Sequence, residues 1–154
     1  MRIGDGTALH HPLRDAQNVT TVLGNLVDNA VLGDVLGDGT DRWVEVELLS
    51  DDAASHVFVA DSGNGLRIPN TGLAFREGYT TALPAGSVQG TGHGEGLGLA
   101  LSRQIARLGG GDVWVLSAGH DGGPGVVFAA RLEDALEGNA LERAALEPEE
   151  TADA

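Results

Sequence analysis

The chain has 154 residues, of which 42% are hydrophobic and 21% are charged, enough for one hydrophobic core but too few for two ordinary domains. It contains no cysteine, so disulfides and thiolate metal sites are excluded. The formal net charge of -14 argues against a nucleic-acid-binding surface. All nine basic residues are arginine, which excludes a Walker-type phosphate loop because that loop needs a lysine. No apolar run reaches the roughly 20 residues that a membrane-spanning helix needs.

The first part of the chain is predicted to form a lead segment, a helix and two strands. Residues 1–16 show no periodicity and are expected to be loop-like. Residues 17–36 are predicted to form an amphipathic helix, because apolar side chains recur on one side at about 100° per residue. Residues 43–49 alternate between apolar and polar, and residues 56–61 form an almost continuous apolar run, so both segments are predicted strands. The apolar stripe of the helix comprises Val19, Leu23, Leu26, Val27 and Ala30, and the opposite side carries Thr21, Asn25, Asp28 and Asn29.

The second part of the chain combines a long aperiodic segment with a helix and a hairpin. Residues 66–93 are rich in Gly, Thr and Pro and lack a strong period, which is typical of a functional or mobile loop. Residues 96–108 have helical spacing, and residues 112–118 and 126–132 are predicted to pair as a hairpin. The acidic residues 133–154 are predicted to form a tail. This order of elements favours an α/β fold with helices on one face of a mixed sheet.

A glycine occupies every second position from Gly90 to Gly98, where the second helix begins. The start of a helix has unpaired N–H groups and a partial positive charge, which together can bind an anion. Side chains at Gly94, Gly96 and Gly98 would obstruct the approach of that anion. The alternative interpretation of the same run is a flexible surface linker.

Two asparagines, Asn25 and Asn29, lie one helical turn apart on the side opposite the apolar stripe. Asparagine is a poor helix former, so a pair on one side of a helix needs a reason. Their amide carbonyl oxygens could be offered to a hard cation such as Mg²⁺, which prefers oxygen ligands. The alternative is an ordinary solvated helix face.

Asp61 ends the second predicted strand and is followed closely by Gly63 and Gly65. A carboxylate in this place can accept a hydrogen bond from an exocyclic amine. The two glycines would let a flat ring lie against the backbone. The alternative is an ordinary turn after a strand, because Asp, Ser, Gly and Asn are all favoured turn residues.

The residues discussed so far belong to three motifs that follow one another along the chain: N-L-V-D-N-A (25–30), D-S-G-N-G (61–65) and G-E-G-L-G-L (94–99). They resemble the N, G1 and G2 boxes of the ATP-binding domain shared by sensor histidine kinases, gyrase, mismatch-repair ATPases and the large heat-shock chaperones. F-R-E-G-Y-T-T (75–81) is similar to the F box of the kinases, and L-G-N-L-V-D-N-A most resembles their citrate and dicarboxylate sensor branch. The resemblance covers about residues 15–132. It implies the Bergerat fold, a two-layer sandwich with helices on one face of a mixed, mostly antiparallel sheet.

The resemblance also implies roles for individual residues of an ATP-binding catalytic domain over residues 17–132. Asn29 would be the Mg²⁺ ligand and Asn25 would lie near the phosphates, and these two would be the catalytic residues. Asp61 would bind the adenine amine, with Gly63 and Gly65 making room for the base. A lid over about residues 76–93 would close on the nucleotide. The remaining implied contacts are Phe75, which would anchor the lid, and Gly94, Gly96, Leu97, Gly98 and Leu99, which would wrap the triphosphate.

The chain departs from the family pattern at three places. Many relatives carry Lys and Tyr shortly after the N box, where residues 31–33 of this chain are Val-Leu-Gly, so a phosphate contact is lost. Val126 replaces a threonine that usually helps to hold a water against adenine. The acceptor histidine is also missing, because His10 and His11 precede a proline in a loop-like segment rather than lie in a helical hairpin.

The function implied by the resemblance is that of the catalytic part of a sensor histidine kinase in a two-component system. With ATP and Mg²⁺ bound, it would transfer the γ-phosphate to a histidine on a separate dimerisation domain, upstream of a response regulator. Its place would be the cytosolic portion of a membrane-bound sensor, with no nucleic-acid partner. One alternative is a nucleotide-regulated binding module similar to anti-sigma factors, and another is an ATPase; both usually have Glu where this chain has Asn25. A degenerate domain without nucleotide is a further alternative.

We predict that the amides of residues 76–93 exchange quickly without nucleotide and become protected when ATP binds. The reason is that a long, Gly- and Thr-rich segment between two binding motifs would close over the ligand. Hydrogen exchange of the free and ATP-bound protein measures this directly. Equal exchange in the two states would contradict the prediction of a lid.

Overall fold

The computed structural model describes residues 1–10, 15–51, 54–79, 96–119 and 125–133 of the chain. These residues form one five-stranded sheet, two α-helices and a short 3₁₀ turn. The elements in chain order are β1 (Arg2–Ile3), α1 (Ala16–Leu36), β2 (Val44–Ser50), β3 (Ala54–Asp61), the 3₁₀ turn (Thr71–Phe75), α2 (Gly98–Leu108), β4 (Asp112–Ser117) and β5 (Val127–Glu133).

The strands lie in the order β1-β2-β3-β5-β4, with both helices on one face of the sheet. β1 runs parallel to β2, and the other neighbouring strands are antiparallel. The predicted two-layer fold with a mixed, mostly antiparallel sheet is therefore confirmed. Val44 pairs with Asp61 and Ala60 pairs with Val127. The end of β3 thus lies between the starts of β2 and β5.

Residues 1–10, the described start of the chain, differ from the predicted loop-like lead segment over 1–16. The Arg2–Ile3 strand pairs with β2, and Arg2 forms an ion pair with Glu45. The Arg2 guanidinium also lies 4.5 Å from the centre of the Trp43 ring. A two-residue strand is too short to show a hydrophobic period, so this long-range pairing leaves no local signal in the sequence.

Helix α1 is the central helix of the core. It begins after Asp15, whose side chain accepts a hydrogen bond from the Asn18 N–H at 3.1 Å and so caps the helix. By length and composition its 21 residues could cross a membrane, but the helix packs against the sheet. The predicted stripe is confirmed in its buried members Val19, Leu26 and Ala30, with Val22 as a further buried residue and Leu23 and Val27 partly buried.

Helix α2 is shorter than predicted at its start. Gly96 has φ +67°, which lies outside the right-handed helical region, so the helix begins at Gly98 rather than at residue 96. Leu99, Ser102 and Ala106 form its buried side. The core that both helices cover includes the sheet residues Val44, Val46, Val57, Val59, Val113, Phe128, Ala130 and Leu132.

We predict opposite effects on stability for alanine at two glycines. A Cβ at Gly111, between α2 and β4, would overlap the carbonyl oxygen of Arg131, so Gly111→Ala should lower the free energy of unfolding by about 1–3 kcal/mol. A Cβ at Gly24, in the middle of α1, meets no atom within 4 Å, so Gly24→Ala should raise it by about 0.5–1 kcal/mol. Urea unfolding of the two variants and the parent measures both changes. A stable Gly111→Ala protein would show that the α2–β4 junction can shift.

Candidate nucleotide site

A cavity of about 530 Å³ lies where α1, the start of α2 and the loop after β3 meet. Eight of the predicted site residues line it: Asn25, Asn29, Asp61, Gly65, Gly96, Leu97, Gly98 and Leu99. Gly63 and Phe75 are not among its lining residues. Gly94 and most of the predicted lid lie within residues 80–95, outside the described part of the chain. The structure therefore brings the three motifs to one place.

The asparagines of α1 are held by hydrogen bonds that use their amide nitrogens. Asn25 Nδ2 donates to the Ser102 hydroxyl at 3.0 Å, and that hydroxyl donates to the Gly98 carbonyl at 2.8 Å. Asn29 Nδ2 donates to the carbonyl of Asn25 at 2.7 Å. Each amide nitrogen uses one of its two hydrogens in these bonds, and no described residue donates to either Oδ1 atom, so both oxygens can meet a ligand.

These oxygens fit a Mg²⁺ ion that is shared with a ligand. Among the residues that the structure describes, no group of three His, Cys, Asp or Glu side chains could enclose a metal ion on its own. Mg²⁺ commonly keeps several waters and takes one or two protein oxygens together with substrate phosphates. Asn29 Oδ1 suits that sparse coordination, and its role as a ligand stays a prediction.

The start of α2 presents backbone N–H groups to the same cavity. The position before the helix is Leu97, which makes no side-chain capping hydrogen bond. The Leu101 N–H donates to the Leu97 carbonyl at 2.9 Å, so the N–H groups before Leu101 precede the helical ladder. A Cβ at Gly98 would lie only 3.3 Å from Asn25 Oδ1. A glycine here keeps the space between the helix start and the asparagine open, as binding of an anion requires.

Asp61 is a buried carboxylate with one oxygen that has no hydrogen-bond partner in the described structure. Its side chain is 1% exposed. Oδ1 accepts from the N–H of Gly63 at 2.8 Å and from that of Val126 at 3.2 Å, whereas Oδ2 is buried and unpaired. Burial raises the pKa of Asp61, the two backbone donors lower it, and the charge of Asp34 raises it further. An unpaired buried acceptor is costly unless a ligand supplies a donor, and an exocyclic amine fits this atom.

The glycines around Asp61 pack the loop after β3 tightly against the rest of the chain. A Cβ at Gly63 would overlap the Gly33 carbonyl, and one at Gly65, whose φ is +78°, would overlap the Gly119 carbonyl. A Cβ at Gly33 would lie 3.3 Å from Asp61 Oδ2. Close packing alone is therefore a reason for glycine at these positions. That Gly63 and Gly65 also make room for a base stays a prediction.

Several lining residues were not predicted from the sequence. Leu32 and Leu36, on the side of α1 away from the core, form an apolar wall and are 37% and 44% exposed. The sequence did contain an indication of this wall, because Leu32 and Leu36 are apolar residues that lie outside the predicted apolar stripe of the helix. Arg67 lies in the loop after β3 and is a basic residue of the cavity wall. The other unpredicted members include Leu66, Tyr79 and Phe128, which the local pattern does not distinguish from core residues.

Phe75 lies beside the cavity rather than in its wall. It is partly buried against the core, and the Arg103 guanidinium lies 4.9 Å from the centre of its ring. Its neighbour Ala74 and the nearby Tyr79 do line the cavity. A Cβ at Gly96 would overlap the Tyr79 carbonyl, so the two residues that flank positions 80–95 lie side by side.

Comparison with known proteins places these features in a family. The sequence profile of the histidine kinase-, DNA gyrase B- and HSP90-like ATPases matches residues 14–135. The structure of the mycobacterial sensor histidine kinase MprB is similar with a TM-score of 0.59 and 26% identity, over 77% of this chain and 74% of that one. No curated protein sequence matches the chain significantly.

Two further solved structures share the fold. A nucleotide-free catalytic domain of the histidine kinase ThkA is similar with a TM-score of 0.56 and 26% identity, over 78% of this chain and 68% of that one. Full-length ShkA in complex with AMPPNP has a TM-score of 0.55 and 24% identity, over 75% of this chain but 21% of its own length. None of these comparisons identifies the citrate and dicarboxylate branch, which stays a prediction.

We predict that Asp61→Asn weakens ATP binding without loss of stability. Asn Oδ1 can still accept from Gly63 and Val126, so Nδ2 would replace Oδ2 and meet the adenine amine as a second donor. Two unpaired donors at a buried place cost roughly 1–3 kcal/mol, so affinity should fall about tenfold or more. Calorimetric titration with ATP, beside urea unfolding, measures both quantities. Unchanged affinity would remove Asp61 from the site.

The same carboxylate should make ATP binding depend on pH. The ionised form accepts from the amine, so affinity should fall as the pH falls through the raised pKa of Asp61, earlier than for an ordinary aspartate. The stability of the fold changes in the opposite direction, because burial favours the protonated carboxyl. The contribution of Asp61 to stability is fully present below the pKa that it has in the unfolded chain. It is lost as the pH rises through the higher pKa that it has in the folded protein. Asp61→Asn should lack this part of the profile, whereas Asp34→Asn should shift it to lower pH. Identical profiles in all three proteins would refute the assignment.

Proposed function

Because this chain belongs to the family of histidine kinase-, DNA gyrase B- and HSP90-like ATPases, we propose that it binds Mg²⁺ and ATP and transfers the γ-phosphate to a histidine of a separate dimerisation domain. The observation that carries nucleotide binding is the unpaired, buried Oδ2 of Asp61 in the same cavity as the uncapped start of α2. One end of that cavity suits a base and the other suits phosphates.

One end of the cavity binds the base and the other end binds the triphosphate. Asp61 Oδ2 accepts a hydrogen bond from the exocyclic amine, and Leu32, Leu36 and Leu66 provide apolar surface for the ring. At the other end, the first N–H groups of α2 face the triphosphate and Asn25 lies near it. Asn29 Oδ1 would meet the Mg²⁺ ion that accompanies the phosphates. Mg²⁺, when bound with the nucleotide, neutralises charge on the phosphates and holds them in place.

Asn25 favours a kinase over a hydrolase. The amide of Asn25 donates to Ser102 and has no basic lone pair, so it cannot take a proton from water. A neutral imidazole brings its own nitrogen lone pair as the nucleophile. The nitrogen–phosphorus bond forms as the bond between the γ-phosphorus and the bridging oxygen breaks, and ADP leaves with that electron pair. Positioning and electrostatics are then what the protein contributes.

The partners follow from this chemistry. The acceptor histidine would come from the dimerisation domain of the same kinase, and a response regulator would receive the phosphoryl group next. The chain spans about a fifth of full-length ShkA, whose remaining length holds other parts of that protein. We infer that this chain likewise acts beside further domains, on the cytosolic side of a sensor.

We predict that the domain alone hydrolyses bound ATP poorly and does not label itself. Asn25 cannot activate water, and general-base help of that kind is worth roughly 10²–10⁴-fold in rate. Supplying the cognate dimerisation hairpin in trans should restore transfer to its histidine, slowly because the two parts are not tethered. Incubation with γ-labelled ATP, alone and with the hairpin, follows phosphate release and protein label.

The control for this experiment is Asn29→Ala, which removes the predicted Mg²⁺ ligand and should abolish transfer to the hairpin. Rapid phosphate release by the domain alone, abolished in Asn29→Ala, would identify an ATPase instead. Nucleotide binding that changes the affinity for a protein partner, with neither release nor transfer, would favour the binding module.

A further inference from the structure

The Arg103 side chain joins three elements next to the cavity. It extends from α2, and its guanidinium lies 4.9 Å from the centre of the Phe75 ring at the end of the 3₁₀ turn. Its Nε and one terminal nitrogen donate to the two carboxylate oxygens of Asp112, at 2.8 and 3.2 Å, at the start of β4. This two-point contact fixes the plane of the guanidinium, so its position over the ring is fixed as well.

Arg107, one turn further along α2, makes the contact with Asp112 but not the contact with the Phe75 ring. It also donates to both oxygens of Asp112, at 3.0 and 3.2 Å. The two arginines, Arg103 first, hold the pKa of Asp112 well below its usual range, so the carboxylate is charged at neutral pH. Arg107 is more exposed than Arg103, and the contact with the Phe75 ring belongs to Arg103. The chain thus contains a natural comparison for the ring contact.

The ring that Arg103 covers is coupled to the cavity through its neighbours. Ala74 precedes Phe75 and lines the cavity, and Tyr79 follows it by four residues and also lines the cavity. The Tyr79 carbonyl is packed against Gly96, two residues before α2 begins. A displacement of Phe75 would therefore move the wall residues Ala74 and Tyr79 relative to the start of α2.

We propose that Arg103 is a positioning residue, which holds Phe75 against α2 and thereby sets the shape of the nucleotide cavity at Ala74 and Tyr79. The inference rests on the proposed function for its effect on ATP, but its structural part does not require a nucleotide. The ion pair with Asp112 orients the guanidinium, and the ring contact transmits that position to the cavity wall.

The test compares Arg103→Met with Arg107→Met. Each variant keeps apolar volume and removes one guanidinium from Asp112, but only the first removes the contact with Phe75. Hydrogen exchange of residues 74–79 in the nucleotide-free protein should become faster in Arg103→Met and stay at the parent rate in Arg107→Met. The KM for ATP in transfer to the hairpin should rise about three- to tenfold in Arg103→Met alone, with kcat unchanged. Arg103→Lys, which keeps a cation near the ring, should recover part of the difference.

A double-mutant cycle with Phe75→Leu completes the test. If the ring contact carries the effect, Arg103→Met should add little to the KM increase that Phe75→Leu causes by itself. Equal behaviour of the two methionine variants, or full additivity with Phe75→Leu, would overturn the inference. A parent protein that binds no ATP would refute the proposed function, and the exchange comparison would still decide the role of Arg103. Should Arg103→Met not fold, Arg103→Lys and the Phe75→Leu background give the same comparison.

Discussion

The burial of one carboxylate governs how the elements of this domain meet. Asp61 is the last residue of β3. Its Oδ1 accepts hydrogen bonds from the N–H of Gly63 in the following loop and from the N–H of Val126 just before β5. A Cβ at Gly125 would overlap Oδ1, and one at Gly63 would lie 2.9 Å from it. Three separate segments therefore have a glycine where they surround this carboxylate: Gly33 in α1, Gly63 in the loop and Gly125 before β5. The packing of α1, the loop and the start of β5 keeps a carboxylate oxygen buried and yet part of the cavity wall.

The remaining constraint is that α1 must serve the core and the cavity at once. One side of the helix buries Val22, Leu26 and Ala30 completely. The side that turns toward α2 and the cavity carries the asparagines, and the next turn adds Leu32 and Leu36. Because an α-helix is rigid, tight packing of the first side fixes the positions of the second. Core packing thus sets the geometry of the site, and some core residues, among them Leu99 and Phe128, also line the cavity.

Local sequence patterns were sufficient for the elements whose signal is periodic. The helix over 17–36, the strands of the central sheet and the hairpin after α2 were predicted within a few residues of their observed bounds. The resemblance of the three motifs predicted which residues would converge, and eight of them line one cavity. The β1 strand was not predicted, because two residues carry no period and the pairing with β2 is long-range.

Other features of the site depend on tertiary packing and could not be read from spacing. The sequence does not show that Asp61 Oδ2 is left unpaired, because that depends on whether the Val126 N–H, just before β5, reaches Oδ1. It does not place Phe75 beside the cavity rather than in its wall, since the ring direction is set by Arg103 and the core. Arg67 looked like an ordinary loop residue until the fold brought it to the cavity.

The contact between Tyr79 and Gly96 has a consequence for how related sequences can diverge. Tyr79 and Gly96 are held next to each other, so the chain between them must begin and end at one place in the fold. The entropy of closing a segment of this kind grows only with the logarithm of its length, about 0.6 kcal/mol for each doubling. A change of length between these two anchors therefore changes the closure entropy little. A sequence with the same two anchors can therefore be longer or shorter between them while the core and the carboxylate end of the cavity keep their geometry.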